Sequence, residues 1–238
     1  MLSFEEILQR LKEIEKRGYI KTHRQGNTGI GKTLEDLLGI EENNFAGPDG
    51  LTTELKSARK NASSMLTLFT KSPSPPKINS VLLNEFGYPD KPGSTKKILH
   101  TTLNAIDFNT LRGDVGLKIG LKEDRIEIIP KQPKSEIPTA FWDKETLKKR
   151  FETKYIELLY VKADSKGSGE DELFHFNEAW LMKGFDFRNF LELLKEGTLL
   201  VDIRIGQYPD GRPHDHGTGF RVMPNRLDLC FSNRNRVL

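Results

Sequence analysis

The 238-residue chain predicts an α/β fold, a mixed central sheet flanked by helices. Three observations point there. Segments with helical spacing of apolar residues interrupt segments that alternate, and no internal repeat or persistent heptad is present. With 36% hydrophobic and 30% charged residues, the chain can build a core. No window approaches the roughly 18 consecutive apolar residues of a membrane span. The start, Met1-Leu2-Ser3-Phe4-Glu5-Glu6, is acidic where a secretory signal is basic and then apolar, so neither membrane insertion nor export is expected. The single cysteine, Cys230, offers no internal disulfide and no zinc site by itself; a packing role in a reducing cytoplasm is the expectation.

The elements follow in order. Ser3 and Glu6 form a capping-box pattern, and Phe4, Ile7, Leu8, Leu11 and Ile14 recur at helical spacing until Gly18. A basic, glycine-rich passage from Lys21 to Lys32 leads into a second short helix with Leu34, Leu37 and Leu38 inward and Gly39 as its stop. From Leu51 to Ser57 the chain alternates, Leu51, Thr53 and Leu55 facing one way and Thr52, Glu54 and Lys56 the other. Met65 to Phe69 reads as a strand, and Ser72-Pro73-Ser74-Pro75-Pro76 as loop, because proline cannot continue a ladder. Strands are expected near 115–121, 125–129 and 155–162, and a helix near 186–195. A strand over Leu199–Ile205 opposes Val201, Ile203 and Ile205 to Asp202 and Arg204. Phe174, Phe176, Trp180 and Phe185 read as core packing. Nothing forces two independent domains, so 1–238 reads as one domain with lobes.

Net charge is only +3, from 37 Lys and Arg against 34 Asp and Glu. Its distribution is more informative: residues 55–84 carry Lys56, Arg59, Lys60, Lys71 and Lys77 without an acid. Such a run is either a solvated face or a footprint for a polyanion.

Gly26-Asn27-Thr28-Gly29-Ile30-Gly31-Lys32-Thr33 satisfies the phosphate-loop pattern G-x-x-x-x-G-K-[ST]. A working phosphate loop leaves a buried strand, whereas the residues before this run, Tyr19 to Gln25, are largely polar. Three readings stay open: a P-loop ATPase, a glycine turn opening a helix, and a backbone grip on a nucleic-acid phosphate aided by Arg24 and Lys32.

Asp49, Glu54 and Lys56 form P-D-x-x-x-x-E-x-K. On a strand, Glu54 and Lys56 project from one face about 7 Å apart, and Asp49 can enter from the strand's start. Two carboxylates and an ammonium suit phosphodiester hydrolysis, in which hard oxygen ligands hold Mg²⁺ and the lysine meets developing charge. Glu35, on the preceding helix, is a fourth polar group able to hold a water. The same spacing also describes a surface ion pair on an exposed strand.

With Pro48-Asp49, Glu54-Leu55-Lys56, the run Gly26 to Leu38 and Leu66-Thr67-Leu68-Phe69-Thr70-Lys71-Ser72-Pro73, the chain resembles the MvaI/BcnI type of restriction endonuclease, relatives of the mismatch-repair nicking enzyme MutH. Ile98-Leu99-His100, Val201 to Gly206 and His214-Asp215-His216-Gly217-Thr218 extend the likeness toward the MvaI branch. The resemblance implies a restriction-endonuclease-like, MutH-like core with two lobes around a DNA cleft. It places a catalytic lobe around motifs of about 20–75 and a recognition lobe that includes about 197–225. It implies a type II site-specific deoxyribonuclease that uses Mg²⁺, one ion or two, and acts as a monomer on a short pseudopalindromic duplex site of the CC-W-GG or CC-S-GG kind, the W-type favoured, in a host with a companion DNA methyltransferase. The family's acidic and lysine motif falls on Asp49, Glu54 and Lys56, and its helical glutamate on Glu35. A MutH-like strand-nicking repair enzyme recruited by a partner is the alternative.

Guanine presents O6 and N7 acceptors in the major groove and cytosine an N4 donor, so a reader needs arginines and an acid. Asp202 and Arg204 share one strand face and Arg221 follows the polar turn through His214, Asp215 and His216. His100 is a further candidate for DNA contact, and Lys71 for phosphate contact. An ion pair between Asp202 and Arg204 that reads no base is equally compatible with the residue types. His214 and His216 alone lack the further ligands a zinc site needs.

Overall fold

The computed structural model describes residues 1–41, 47–111, 113–133 and 135–238. From the N-terminus come α1 (Phe4–Lys16), the two-residue strand β1 (Ile20–Lys21), α2 (Gly29–Leu38) and β2 (Thr53–Arg59). Next are β3 (Leu66–Thr70), α3 (Ile78–Phe86), β4 (Tyr88–Pro89), β5 (Lys97–Leu103), β6 (Gly116–Leu121), β7 (Arg125–Lys131), β8 (Phe141–Asp143) and α4 (Lys144–Lys154). The rest is β9 (Glu157–Lys166), β10 (Leu173–Lys183), α5 (Phe187–Lys195), β11 (Leu199–Gln207), β12 (Pro213–Asp215), β13 (Gly219–Val222) and β14 (Asn233–Arg236). No helix among the described residues is long and apolar enough to cross a membrane. The chain divides into two compact units.

Unit 1 comprises Met1–Ser64, Arg150–Asp186 and Leu227–Leu238. Its sheet runs β1-β10-β9-β2, with β14 also on β10. β2 and β9 are parallel, Thr53 opposite Glu157 through Arg59 opposite Ala163. Parallel neighbours need a crossover, and here it runs through residues 60–156. One sheet face carries Leu55, Leu159, Val161, Ala163, Phe174 and Phe176, against which α1 lays Ile7, Leu11 and Ile14 and α2 lays Ile30, Leu34 and Leu38. Each such buried side chain contributes roughly 1.5–3 kcal/mol, so this stripe-on-sheet contact is what holds α2 beside β2. The capping box at Ser3 and Glu6 forms as expected, and Gly39 ends α2 in the left-handed conformation. The strand expected from Leu51 starts at Thr53 instead, because the Gly50 N–H donates to the Thr53 carbonyl at 2.9 Å and closes a turn that leaves Leu51 exposed.

Unit 2 comprises Met65–Lys149 and Phe187–Arg226. One sheet runs β3-β13-β11-β5-β4 with β12 on β11, and a smaller one runs β6-β7-β8. α5 buries Phe187, Phe190, Leu193 and Leu194. Phe190 packs with Phe69 (ring centroids 5.7 Å) and Phe220 (5.4 Å), and Trp142 meets Phe220 edge-on at 5.5 Å. Lys71 carries the C-terminal side of β3 into this core, its N–H bonding to the Thr218 carbonyl and its own carbonyl accepting from Trp142 Nε1 at 2.8 Å.

Candidate active site

β2 places the acid and lysine pattern. Leu55 faces the core, so Glu54 and Lys56 leave the other side of the strand. Asp49 sits in the preceding turn, where its Oδ2 accepts the Leu55 N–H at 2.8 Å. Glu54 is fully buried. Its Oε1 accepts from the Lys56 ammonium, and its Oε2 lies 3.0 Å from Lys154 Nζ at the end of α4. That second contact is Coulombic without hydrogen-bond alignment, and Oε2 is a buried oxygen that takes no hydrogen bond from the described residues. Burial raises the Glu54 carboxyl above its ordinary range and the Asp49 charge raises it further, against the opposite pull of Lys56 and Lys154. Burial likewise holds the Tyr155 phenol well above its usual value, with Glu54 and Asp49 adding to it. Burying a carboxylate costs several kcal/mol unless charges and hydrogen bonds compensate, which is why two ammonium groups converge here.

A cavity of about 300 Å³ opens between α2 and β2, walled by Arg24, Asn27, Lys32, Glu35, Lys56 and Ser57 among others. Glu35 is half-buried there, and Lys32 pairs with Asp36 at 2.7 Å one turn on. The structure thus brings Asp49, Glu54 and Lys56 together at the start of β2, while Glu35 lines the cavity beside Leu55, Lys56 and Ser57, with Arg24 and Lys32 also on its wall. Among the described residues no group of three or more His, Cys, Asp and Glu side chains gathers to hold an ion by itself. Mg²⁺ does not require one, since it takes one or two carboxylates and fills its remaining positions with water and phosphate oxygens. The buried oxygen of Glu54 that takes no hydrogen bond and the carboxylate of Asp49 fit that donor set.

The phosphate-loop reading meets no support in the backbone. β1 is a two-residue antiparallel strand on β10, not a buried parallel one. The residue before α2, Thr28, is already helical and its side chain caps nothing. A side chain at Gly29 would run into the carbonyl oxygen of Arg24 and come within 2.8 Å of Thr22 Oγ1, so this glycine serves a tight return of the chain. The acid-free run is also less basic than its sequence suggests. Lys56 is held by Glu54, Arg59 by Glu172 at 2.5 Å, and Lys60 by Asp164 at 3.3 Å; three of its five cations are paired, two of them with acids from distant segments.

Unit 2 holds the second set. On β11, Asp202 is buried with Oδ1 accepting from Thr102 Oγ1 at 2.9 Å and Oδ2 from Arg204 Nε at 2.8 Å. Arg221 Nε stands 3.1 Å from the same Oδ2, again without hydrogen-bond alignment. The pairing of Asp202 with Thr102 and of Arg204 with His100 across β5 puts all four on one sheet face. The ion pair between Asp202 and Arg204 therefore exists, yet 43% of the Arg204 side chain remains exposed. His100 and His216 (ring centroids 6.2 Å) and His214 and His216 (4.2 Å) form a ring cluster, continued by Tyr208 against His214 at 4.5 Å. Burial first, then Arg204 and His216, lower the His100 pKa; burial and His214 lower that of His216. Asp215 braces its loop, accepting from Ser72 Oγ, Asn79 Nδ2 and the Gly217 N–H. The sequence reading missed Thr102, Tyr208 and Lys154. None carries a local pattern, and each enters only through strand register or a helix end.

Comparison with known proteins places the chain in a family. The sequence profile of the MvaI/BcnI restriction endonuclease family matches residues 8–231. Among solved structures, the MvaI restriction endonuclease in complex with its cognate DNA substrate is similar with a TM-score of 0.86 and 32% identity over all of both chains. MvaI in the absence of DNA is similar with a TM-score of 0.60 and 29% identity, over 100% of this chain and 99% of that one. Among curated proteins no relative matches. The fold is restriction-endonuclease-like, and with a profile that spans nearly its whole length, the chain belongs to the MvaI/BcnI restriction endonuclease family of type II, site-specific DNA endonucleases.

Proposed function

We propose that this endonuclease hydrolyses duplex DNA with Mg²⁺ at a short pseudopalindromic site of CC-W-GG kind, as a monomer with one cleavage centre that cuts the two strands in succession. The observation that carries the chemistry is the convergence of Asp49, Glu54 and Lys56, with a buried Glu54 oxygen that takes no hydrogen bond. Asp49 and Glu54 would hold one Mg²⁺, with room in the chemistry for a second, and the ion supplies Lewis-acid polarisation of the phosphate and a more acidic attacking water. Lys56 orients that water and meets the charge that develops on phosphorus oxygens. Glu35, across the cavity, accepts a proton or hydrogen bond from the water shell. Arg24, Lys32 and Lys71 contact backbone phosphates.

Base reading falls to unit 2. Arg204 and Arg221 donate to guanine O6 and N7, and Asp202, held between them, sets their orientation and accepts from cytosine N4. His100 and His216, whose pKa values burial lowers, supply one donor and one acceptor each at the groove edge, and His214 stands beside His216. Asp215 acts by shaping their loop. Unit 1 is accordingly the catalytic lobe and unit 2 the recognition lobe. A companion methyltransferase protects the host, and Cys230 stays a thiol in the cytoplasm.

The test is digestion of methylation-free supercoiled plasmid with and without Mg²⁺, followed by sequencing of the ends. Discrete linear fragments that share a short site are expected. Open circles without linear product would replace site-specific double-strand cleavage by nicking, and intact plasmid across several divalent metals would refute both.

A further inference from the structure

Glu54 has two positive neighbours, and only one belongs to the strand motif. Lys56 lies two residues along β2, whereas Lys154 lies at the end of α4, a sequence separation of 100 residues (154 − 54). Its ammonium reaches Oε2 at 3.0 Å with 14% of the side chain exposed. The end of α4 is anchored: Phe151 stacks with Tyr155 at 5.4 Å and meets Phe185 edge-on at 4.8 Å, and the Tyr155 N–H donates to the Phe151 carbonyl at 2.9 Å.

Two features separate this contact from an ordinary ion pair. Glu54 already has a counter-ion on Oε1, so the Lys154 charge balances the centre as a whole: two carboxylates, Asp49 and Glu54, against two ammonium groups. A divalent cation between the same carboxylates brings a second pair of positive charges, and the electrostatic reason for Lys154 to remain is gone. The contact is also unaligned, leaving the lone pairs of Oε2 without a hydrogen bond. Ammonium and metal would thus draw on one oxygen.

We infer that Lys154 is a positioning residue of the cleavage centre: its ammonium holds Glu54 Oε2 in place as an internal stand-in for the divalent cation and competes with that cation for the oxygen. The inference rests on the metal-dependent nuclease reading. Lys154 and the ion then exchange places at each loading event, and Lys154 sets how much Mg²⁺ the enzyme needs.

The experiment uses the full chain at pH 8 without DNA, with Mn²⁺ as the probe and its free concentration read by electron paramagnetic resonance. Lys154→Met should bind Mn²⁺ about tenfold tighter or more, since one nearby positive charge is removed, and Lys154→Arg, which keeps the charge, should stay close to the wild type. In the wild type, acetylation of Lys154 by acetic anhydride, read by mass spectrometry, should rise when Mn²⁺ saturates the site. Equal or weaker Mn²⁺ binding by folded Lys154→Met overturns the inference, as does Lys154 labelling that Mn²⁺ leaves unchanged; the labelling arm stands even if the variant does not fold. Asp49→Ala separates the two levels of the argument. If it binds Mn²⁺ as the wild type does, the metal reading of this centre fails and the inference with it; if it loses Mn²⁺, the labelling and affinity results judge Lys154 alone.

Discussion

Asp49 and Leu55 are joined by a 2.8 Å hydrogen bond from the Leu55 N–H to Asp49 Oδ2, which fastens the first acid of the motif to the residue that follows the second. The carboxylate therefore has a structural task as well as a chemical one. Asp49→Asn keeps an acceptor for that N–H while removing the charge. Cleavage by this variant should fall about a thousandfold or more, as loss of several kcal/mol of transition-state stabilisation implies, while the melting temperature stays near the wild type. Asp49→Ala should lose cleavage and also about 1.5–3 kcal/mol of stability. DNA binding should persist in both, because a carboxylate without its ion repels phosphate. Single-turnover cleavage beside thermal melts and gel shifts checks all three, and retained turnover in Asp49→Asn would move the centre elsewhere.

Arg204 and Arg221 share one oxygen of Asp202. Replacement of either arginine by alanine should cost about 1–3 kcal/mol of discrimination between a CC-W-GG duplex and a scrambled one. Lys71→Ala, by contrast, should weaken binding to both duplexes alike and flatten the salt dependence. Equal losses on both duplexes for Arg204→Ala would remove it from base reading.

The two inner glycines of the GNTGIGKT run are predicted to behave differently. Gly29→Ala forces a methyl against the Arg24 carbonyl oxygen, whereas the nearest atoms to a methyl at Gly31, on Glu35 and Ser57, are 3.9 Å away. Gly29→Ala should destabilise by about 1–3 kcal/mol and Gly31→Ala should leave the melting temperature nearly unchanged. A true phosphate cradle would instead show ATP turnover that Lys32→Ala abolishes.

Burial pushes the Cys230 thiol up to about 12. A thiol whose folded pKa is raised adds stability that is present below the ordinary thiol pKa of about 8.5 and is lost as pH climbs toward the folded value. At pH 8, Ellman's reagent should therefore react with Cys230 only at the rate of unfolding, and fast stoichiometric labelling of the native protein would contradict its burial.

Much of the scaffold was legible because it is written locally. The capping box at Ser3 and Glu6, the Gly39 stop and the alternation through Leu55 each depend on neighbours within a turn or a strand, and each appears where local rules put it. Asp49, Glu54 and Lys56 lie within eight positions (numbers 49 to 56), so their convergence follows from one strand. The burial of Glu54 was not legible, because it depends on Lys154, which arrives with α4. Nor was the neutralisation of the basic run, since Glu172 and Asp164 meet Arg59 and Lys60 only once β9 and β10 are in register. β10 reads from sequence only as aromatic packing: Phe174 and Phe176 are core residues, Trp180 is half-buried with its Nε1 donating to Glu178, and the β-bulge between Phe176 and Glu178 breaks the period that marks a long strand. α4, with seven charged residues among eleven, offers no apolar stripe to betray it.

The parallel ladder between β2 and β9 also sets how much of the chain must be made before β2 can be paired. β2 has β9 as its ladder partner, and everything from residue 60 to residue 156 must be translated before that partner exists. A ribosome that has released only the first half of the polypeptide exposes the acidic motif with neither the companion strand nor the second lysine, so the nascent chain carries no assembled blade. The proposed cleavage centre is thus complete only after residues 154 and beyond have been made, a consequence of long-range pairing.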